Sequence, residues 1–161
     1  MKNEYNEIFM QRAIELSQIA YKTAKGLPIG CVIVKDNKII GEGHNEIFSR
    51  TNPTAHGEMV AIENACKNLG DLALTDCAIY TTLEPCPMCL GAIYWAKLNV
   101  IYFANSNEMA SKIGFSDSFI FDEIKLQPEK RKIPMFKKED TKAIKILTDW
   151  KSKELSSSQP W

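Results

Sequence analysis

Two short segments, well separated along the chain, constrain the fold more than any other feature. His56-Gly57-Glu58 offers an imidazole and a carboxylate, and Cys86-Pro87-Met88-Cys89 offers two thiols. One nitrogen and two sulfur donors, with a position left for water, make the ligand set of a catalytic zinc site, whereas a structural site closes with a fourth side chain. The step from Cys86 to Cys89 puts both sulfurs on one face of a helix's first turn, where backbone N–H groups favour thiolates. The fold is therefore expected to bring His56, Cys86 and Cys89 together around one Zn²⁺ ion per chain.

Glu58 lies two residues beyond His56, close in sequence to this ligand set. A regular helix advances by about 100° per residue, so His56 and Glu58 can face one metal only where a helix begins. A carboxylate placed there is free to carry protons. Two alternatives remain open: a Cys-x-x-Cys pair also suits a redox couple or plain burial, and a non-catalytic metal scaffold would leave Glu58 without a purpose.

Composition narrows the class of protein. The chain has 161 residues, 45% hydrophobic and 25% charged, which predicts one globular domain over residues 1–161. Lys plus Arg and Asp plus Glu are both 20, so no net charge draws the chain to nucleic acid or to a membrane surface. The sequence contains neither a long apolar run nor a signal peptide, and the cysteines are odd in number; we expect a cytoplasmic protein without a disulfide framework.

Hydrophobic periodicity predicts alternating helices and strands. We expect a three-layer α/β domain in which an antiparallel hairpin turns at Asp36-Asn37 and a strand, a helix and a strand form a right-handed parallel crossover. Thr54 is a candidate N-cap for the second long helix. The predicted helices lie near residues 6–24, 54–69, 87–97, 108–113 and 140–154, and the predicted strands near 29–34, 38–43, 77–82 and 100–103.

At the metal-binding segments the chain resembles the cytidine deaminase superfamily, over roughly residues 6–124. The signature His-x-Glu with Pro-Cys-x-x-Cys is that of zinc-dependent base deaminases. Residues 86–97 and the segment Gly114-Phe115-Ser116-Asp117-Ser118-Phe119-Ile120 resemble the bacterial and plant guanine deaminase branch. The chain departs from that branch in having Gly57 between His56 and Glu58, Ile29 after Pro28, and Trp161 at its end.

The resemblance implies a fold, a chemistry and a set of site residues. It implies a mixed five-stranded sheet between helix layers, zinc on His56, Cys86 and Cys89, and proton transfer by Glu58 with Asp117 as a second proton carrier. It also implies a homodimer in which residues 125–161 are exchanged between subunits. The residues implied to contact a small purine substrate are Asn45, Trp95, Phe115 and Trp161.

Each of these residues also has a plainer interpretation. Asn45 suits the turn that ends a strand, Trp95 suits a core position, and Phe115 and Asp117 suit a buried anchor and a loop cap. His44 has no second ligand at metal spacing and is interpreted as structural. The remaining cysteines, Cys31, Cys66 and Cys77, occupy apolar periodic positions typical of a core.

The resulting functional hypothesis is hydrolytic deamination of guanine to xanthine and ammonia. Guanosine or an aminated triazine are alternative substrates on the same fold. A tRNA-specific adenosine deaminase is a further alternative, for which the basic residues between 125 and 138 would have to form a nucleic-acid surface. Interleaved acidic residues make a solvated charged segment the simpler interpretation of that stretch, and a nucleic-acid partner is not expected.

Overall fold

The computed structural model describes residues 4–115 and 117–152. Its elements follow the predicted order closely. They are α1 (Glu7–Lys22), β1 (Gly30–Lys35), β2 (Lys38–His44), α2 (Gly57–Leu69), β3 (Cys77–Leu83), α3 (Pro87–Trp95), β4 (Val100–Asn105), α4 (Asn107–Lys112), α5 (Ser118–Lys125), a 3₁₀ turn (Pro128–Lys130) and α6 (Thr141–Ser152).

The sheet has the order β2-β1-β3-β4. β1 pairs antiparallel with β2 and with β3, and β3 pairs parallel with β4 across α3. The hairpin turns at Asp36 and Asn37, whose φ angles of 47° and 58° are those of a tight primed turn. The predicted hairpin and the predicted parallel crossover are therefore confirmed.

The expectation of five strands is wrong, because the described residues form a sheet of four. The fifth strand came from the resemblance alone, since the sequence has only four runs with strand periodicity. After β4 the chain forms short helices, and the segment around Phe119-Ile120 is part of α5.

Alternating side chains of the central strands build two apolar layers. On one face Val32, Val34 and Tyr80 pack against α1, and on the other Ile33 and Ile79 pack against α2 and α3. Cys31 and Cys77 belong to the second layer and Cys66 lies partly buried against it, as predicted for small core residues. The three-layer α/β architecture is thus confirmed.

The start of α2 differs from the prediction. Its N-cap is His56, not Thr54. The backbone N–H and the hydroxyl of Thr54 both donate to Asn52 Oδ1, which fixes a turn and delays the helix by two residues. His56 therefore enters the helix from its edge, as the pairing with Glu58 requires.

Contacts divide the chain into two compact units, Met1–Ser118 and Phe119–Trp161. The first contains the sheet and both apolar layers. In the second, α6 exposes a row of large apolar side chains: Ile144, Ile146, Leu147 and Trp150. Among the described residues, no helix is both long enough and apolar enough to cross a membrane.

Candidate metal centre

Two helix starts converge at the site. His56 is the N-cap of α2, and Cys86 is the N-cap of α3, which has Pro87 in its first turn. Neither cap side chain bonds the helix's own backbone N–H groups. Pro87 suits this place because it lacks the N–H that a first-turn residue leaves unpaired. Both cap side chains are therefore free to face each other.

The structure brings His56, Cys86 and Cys89 together, as the sequence predicted. Their donor atoms lie within 4.8 Å of one another. His56 Nδ1 is 3.7 Å from Cys86 Sγ and 3.5 Å from Cys89 Sγ. Both cysteines are buried and His56 is half-buried. One nitrogen and two sulfurs at this spacing suit Zn²⁺, which prefers such donors in a tetrahedral arrangement.

The electrostatics of the cluster favour a thiolate. Hydrogen bonds from Cys89 and His56 lower the pKa of Cys86 to about 4. The pKa of Cys89 is raised, because its thiol donates to Cys86 and is itself buried. The hydrogen bond with Cys86 raises the pKa of His56. The Cys86 thiolate is thus stabilised by protons on Cys89 and His56, and a metal cation bound at these donors would displace those protons.

Glu58 lies in the first turn of α2, beside the cluster, and is only 3% exposed. Burial raises the pKa of its carboxyl group. Thr81 donates to Oε1 over 3.3 Å, and within the described part of the chain Oε2 has no hydrogen-bond partner. A buried carboxylate oxygen left unpaired is costly and characteristic of a functional site.

Thr81 is a site residue that sequence reasoning missed. It is completely buried on β3, next to Thr82, which is also buried. Two hydroxyls at the end of an otherwise apolar strand were the available signal, since buried polar groups need partners.

The four residues implied to contact a substrate, and the implied second proton carrier Asp117, are dispersed in sequence. Asn45 directly follows β2 and is completely buried. Trp95 ends α3 and is 64% exposed, so its interpretation as a core residue is wrong. Phe115 is half-buried after α4. Burial raises the pKa of Asp117, and this side chain interacts electrostatically with Cys86 and His56. Trp161 lies outside the described residues.

His44 belongs to a separate polar network. Its Nε2 is 3.6 Å from Glu46 Oε1, and Glu46 also pairs with Arg50. Arg50 reaches Glu63 on α2 over 3.4 Å. This network ties the loop between Asn45 and His56 to α2, in agreement with a structural role for His44.

A cavity of about 600 Å³ lies in the first unit. Its wall includes Ile29, Leu83 and Phe115, and no charged residue is found among the described residues that line it. The carbonyl oxygen of Ile29 accepts a hydrogen bond from the Asn45 backbone N–H over 2.9 Å. Ile29 thus links the cavity wall to Asn45, whereas the described residues that line the cavity do not include Asn45, the three metal donors or Glu58.

Comparison with known proteins matches residues 3–105 to the family model described as "Cytidine and deoxycytidylate deaminase zinc-binding region". Guanine deaminase of Bacillus subtilis (strain 168) is 44% identical over 147 residues, which is 91% of this chain and 94% of that protein. The crystal structure of a Bacillus subtilis guanine deaminase superposes with a TM-score of 0.91 at 41% identity, covering 97% of this chain and 99% of that one.

The tRNA-specific adenosine deaminase of Haemophilus influenzae is 37% identical over 127 residues, 78% of this chain and 72% of that protein. The similarity to the guanine deaminase and the similarity to the tRNA-specific adenosine deaminase therefore both extend over the metal-binding segments.

Proposed function

This chain belongs to the cytidine and deoxycytidylate deaminase zinc-binding family, and on that premise we propose that it hydrolyses guanine to xanthine and ammonia. The observation that carries the proposal is the buried Glu58 carboxylate, with one unpaired oxygen, beside a cluster of three metal donors. The extent of the similarity to the Bacillus subtilis guanine deaminase, over nearly the whole of both chains, supports the choice of guanine.

His56, Cys86 and Cys89 would hold the zinc ion. The donor set fits, because the three side chains converge from two helix starts and one of the thiols already has a depressed pKa. Three protein ligands are the number that leaves a coordination position open for chemistry. When bound there, zinc would act as a Lewis acid and lower the pKa of a bound water molecule toward neutrality.

Glu58 would carry the protons. Its carboxylate accepts a proton from the attacking water and delivers it to the ring nitrogen beside the carbon that holds the exocyclic amine. The water oxygen forms the new bond to that carbon. The remaining proton of the added hydroxyl group is then passed to the exocyclic amine, the bond between the carbon and that amine breaks, and ammonia leaves as the new carbonyl forms. Thr81 would hold the other carboxylate oxygen in place through its hydrogen bond. Asp117 is proposed as the second proton carrier or amine contact.

Asn45, Trp95 and Phe115 are proposed to position the purine, with Trp161 closing the site. The protein is also predicted to be located in the cytoplasm.

A homodimer that exchanges residues 125–161 is part of the same proposal. The exposed apolar side chains of α6 support it, because burying them against a second surface is energetically favourable. Light scattering tests the dimer, which requires twice the chain mass of 18.2 kDa.

The tRNA-specific relatives make adenosine in a tRNA anticodon loop the second candidate substrate. Within the segment that would have to bind RNA, Lys125 pairs with Asp122 and Lys137 pairs with Glu139, so part of its positive charge is already matched by carboxylates. Ammonia release separates the two functions. We expect release from free guanine and none from the anticodon-loop adenosine; the reverse result would assign the chain to tRNA editing.

A further inference from the structure

The side-chain amide of Asn45 is held in one orientation by neighbouring backbone. Its Oδ1 accepts from the Leu27 N–H at 3.1 Å and from the Ile47 N–H at 3.3 Å. Its Nδ2 is buried, and no acceptor for it exists among the residues that the structure describes. The oxygen is therefore fully engaged, and the amide presents a donor that only a ligand or a water molecule can satisfy.

Gly26 allows this arrangement by having no side chain. A Cβ at Gly26 would overlap Asn45 Oδ1 and the Asn45 carbonyl oxygen, and would lie 2.7 Å from the carbonyl carbon. The backbone of Gly26 does not have the left-handed φ that would itself demand glycine. Space beside Asn45 is thus the reason for glycine here.

The same turn is bonded to the Asn45 loop at further points. The carbonyl of Lys25 accepts from the N–H groups of Phe48 and Ser49 at 3.0 and 3.1 Å, and the carbonyl of Ile29 accepts from the Asn45 N–H. Residues 25–29 therefore enclose Asn45 on its backbone and on its side-chain oxygen. Leu27 and Ile29 also line the cavity of the first unit.

We propose that Gly26 and the Leu27 N–H are positioning groups that fix the Asn45 amide with its NH₂ toward the substrate, so that the site selects a base with a hydrogen-bond acceptor at that edge. The inference rests on the proposed function and names what determines its specificity. A flipped amide would set NH₂ against two N–H donors, which is repulsive and leaves all three unpaired. A base that lacks the acceptor leaves a buried donor unsatisfied and is rejected.

Binding of unreactive bases to the zinc-loaded enzyme tests the inference by calorimetry. Hypoxanthine lacks the amine and cannot be turned over; purine, 7-deazahypoxanthine and 3-deazahypoxanthine each remove one of its acceptors. The acceptor that Asn45 contacts is the one whose removal weakens binding to the wild-type enzyme by about tenfold but leaves binding to Asn45→Ala unchanged.

In Gly26→Ala we expect hypoxanthine to bind about tenfold more weakly than to wild type. The analogue that lacks the acceptor contacted by Asn45 should then bind the variant about as well as hypoxanthine does, so that the ratio of the two affinities, the analogue penalty, falls toward unity. Gly41→Ala is the matched control, because its Cβ would lie 2.5 Å from the Ala61 carbonyl oxygen and 2.7 Å from Ala65 Cβ, with no contact to Asn45. The control should lose stability yet keep the analogue penalty. An undiminished penalty in Gly26→Ala, or an equal reduction in Gly41→Ala, overturns the inference.

Two further variants keep the test decisive should Gly26→Ala not fold. Asn45→Asp retains the oxygen that receives both N–H groups but offers no donor, so it should bind hypoxanthine no better than Asn45→Ala; binding at the wild-type level contradicts the orientation. An ester in place of the Gly26–Leu27 amide removes only the Leu27 N–H and should reduce the same penalty. If wild-type enzyme binds none of the four bases, the proposed function fails together with this inference; selective failure in the variants concerns the inference alone.

Discussion

At the scale of single residues, Glu58 combines burial, an unpaired oxygen and proximity to three metal donors. Glu58→Gln keeps the size and polarity of the side chain but cannot transfer protons. We expect deamination to fall by about 10³-fold or more with zinc content unchanged. Ammonia release and elemental analysis measure the two quantities. Glu63→Gln, an exposed glutamate on the same helix, is the control and should keep its activity; near-normal turnover by Glu58→Gln would remove Glu58 from the proton path.

Cys86 offers a test of the metal site that is independent of turnover. Cys86→Ser replaces a low-pKa thiol by a hydroxyl, which is a poor zinc ligand. Purified wild-type protein should contain about one zinc per chain and the variant much less. Cys66→Ser, outside the donor cluster, should keep its zinc. Full occupancy in Cys86→Ser would show that the ligands lie elsewhere.

Residue types and spacing were sufficient to predict the metal donors and Glu58, because each is chemically distinctive. They were insufficient for Thr81 and for the anchoring of Asn45. The partners of Asn45 Oδ1 include the backbone N–H of Leu27, which any residue except proline offers. Such a contact depends on how two loops meet and leaves no mark in the pattern of side chains.

At the scale of helices and strands, Arg12 on α1 joins Glu42 on β2 through two hydrogen bonds of 2.7 and 2.9 Å. The hydrogen bond from Arg12 lowers the pKa of Glu42. A carboxyl group with a depressed pKa stabilises the fold above its unfolded-state pKa, and this contribution is lost as pH falls through the folded-state pKa. The pair therefore contributes at neutral pH and not in acid.

Glu42→Gln should lower the free energy of unfolding by about 0.5–1 kcal/mol at pH 7, since the pair is more than a third exposed and screened by solvent. The difference from wild type should shrink as the pH is lowered from 7 to about 2, through the depressed pKa of the Glu42 carboxyl group (~2 lies below the ordinary range of glutamate). Urea unfolding at both pH values measures it. Glu15→Gln, which pairs with the same arginine from a more exposed position, should have a smaller effect; a pH-independent loss in Glu42→Gln would point to packing instead.

Element order was predictable because periodicity is strong in α1 and in the four strands. The predicted start of a helix was wrong where a side chain forms hydrogen bonds that hold the preceding residues in a turn. Asn52 bonds Thr54 and moves the start of α2 to Gly57, and α5 was not predicted because its eight residues are too few for periodicity to separate a helix from a strand.

At the scale of the whole molecule, the proposed exchange of residues 125–161 predicts that one chain completes the site of its partner. Mixing Glu58→Gln chains with chains that lack residues 156–161 creates a site with an intact Glu58 and a tail donated by the other subunit. Activity should rise above that of either parent. Differently tagged chains purified together provide the sample, and each parent dimer is the control. No recovery in purified heterodimers would contradict the exchange.

The two helix N-termini at the metal centre have a consequence for the local stability of α2 and α3. α1 and α4 begin with Asn6 and Ser106, whose side-chain oxygens accept from the first turn, whereas α2 and α3 begin with His56 and Cys86, which make no such bond. A missing cap lowers helix stability by about 1 kcal/mol. A bound ion, held by His56 and Cys86, would therefore stabilise the N-termini of both helices. Chelation should appear as faster amide hydrogen exchange in the opening turns of these two helices, before the sheet beneath them loosens.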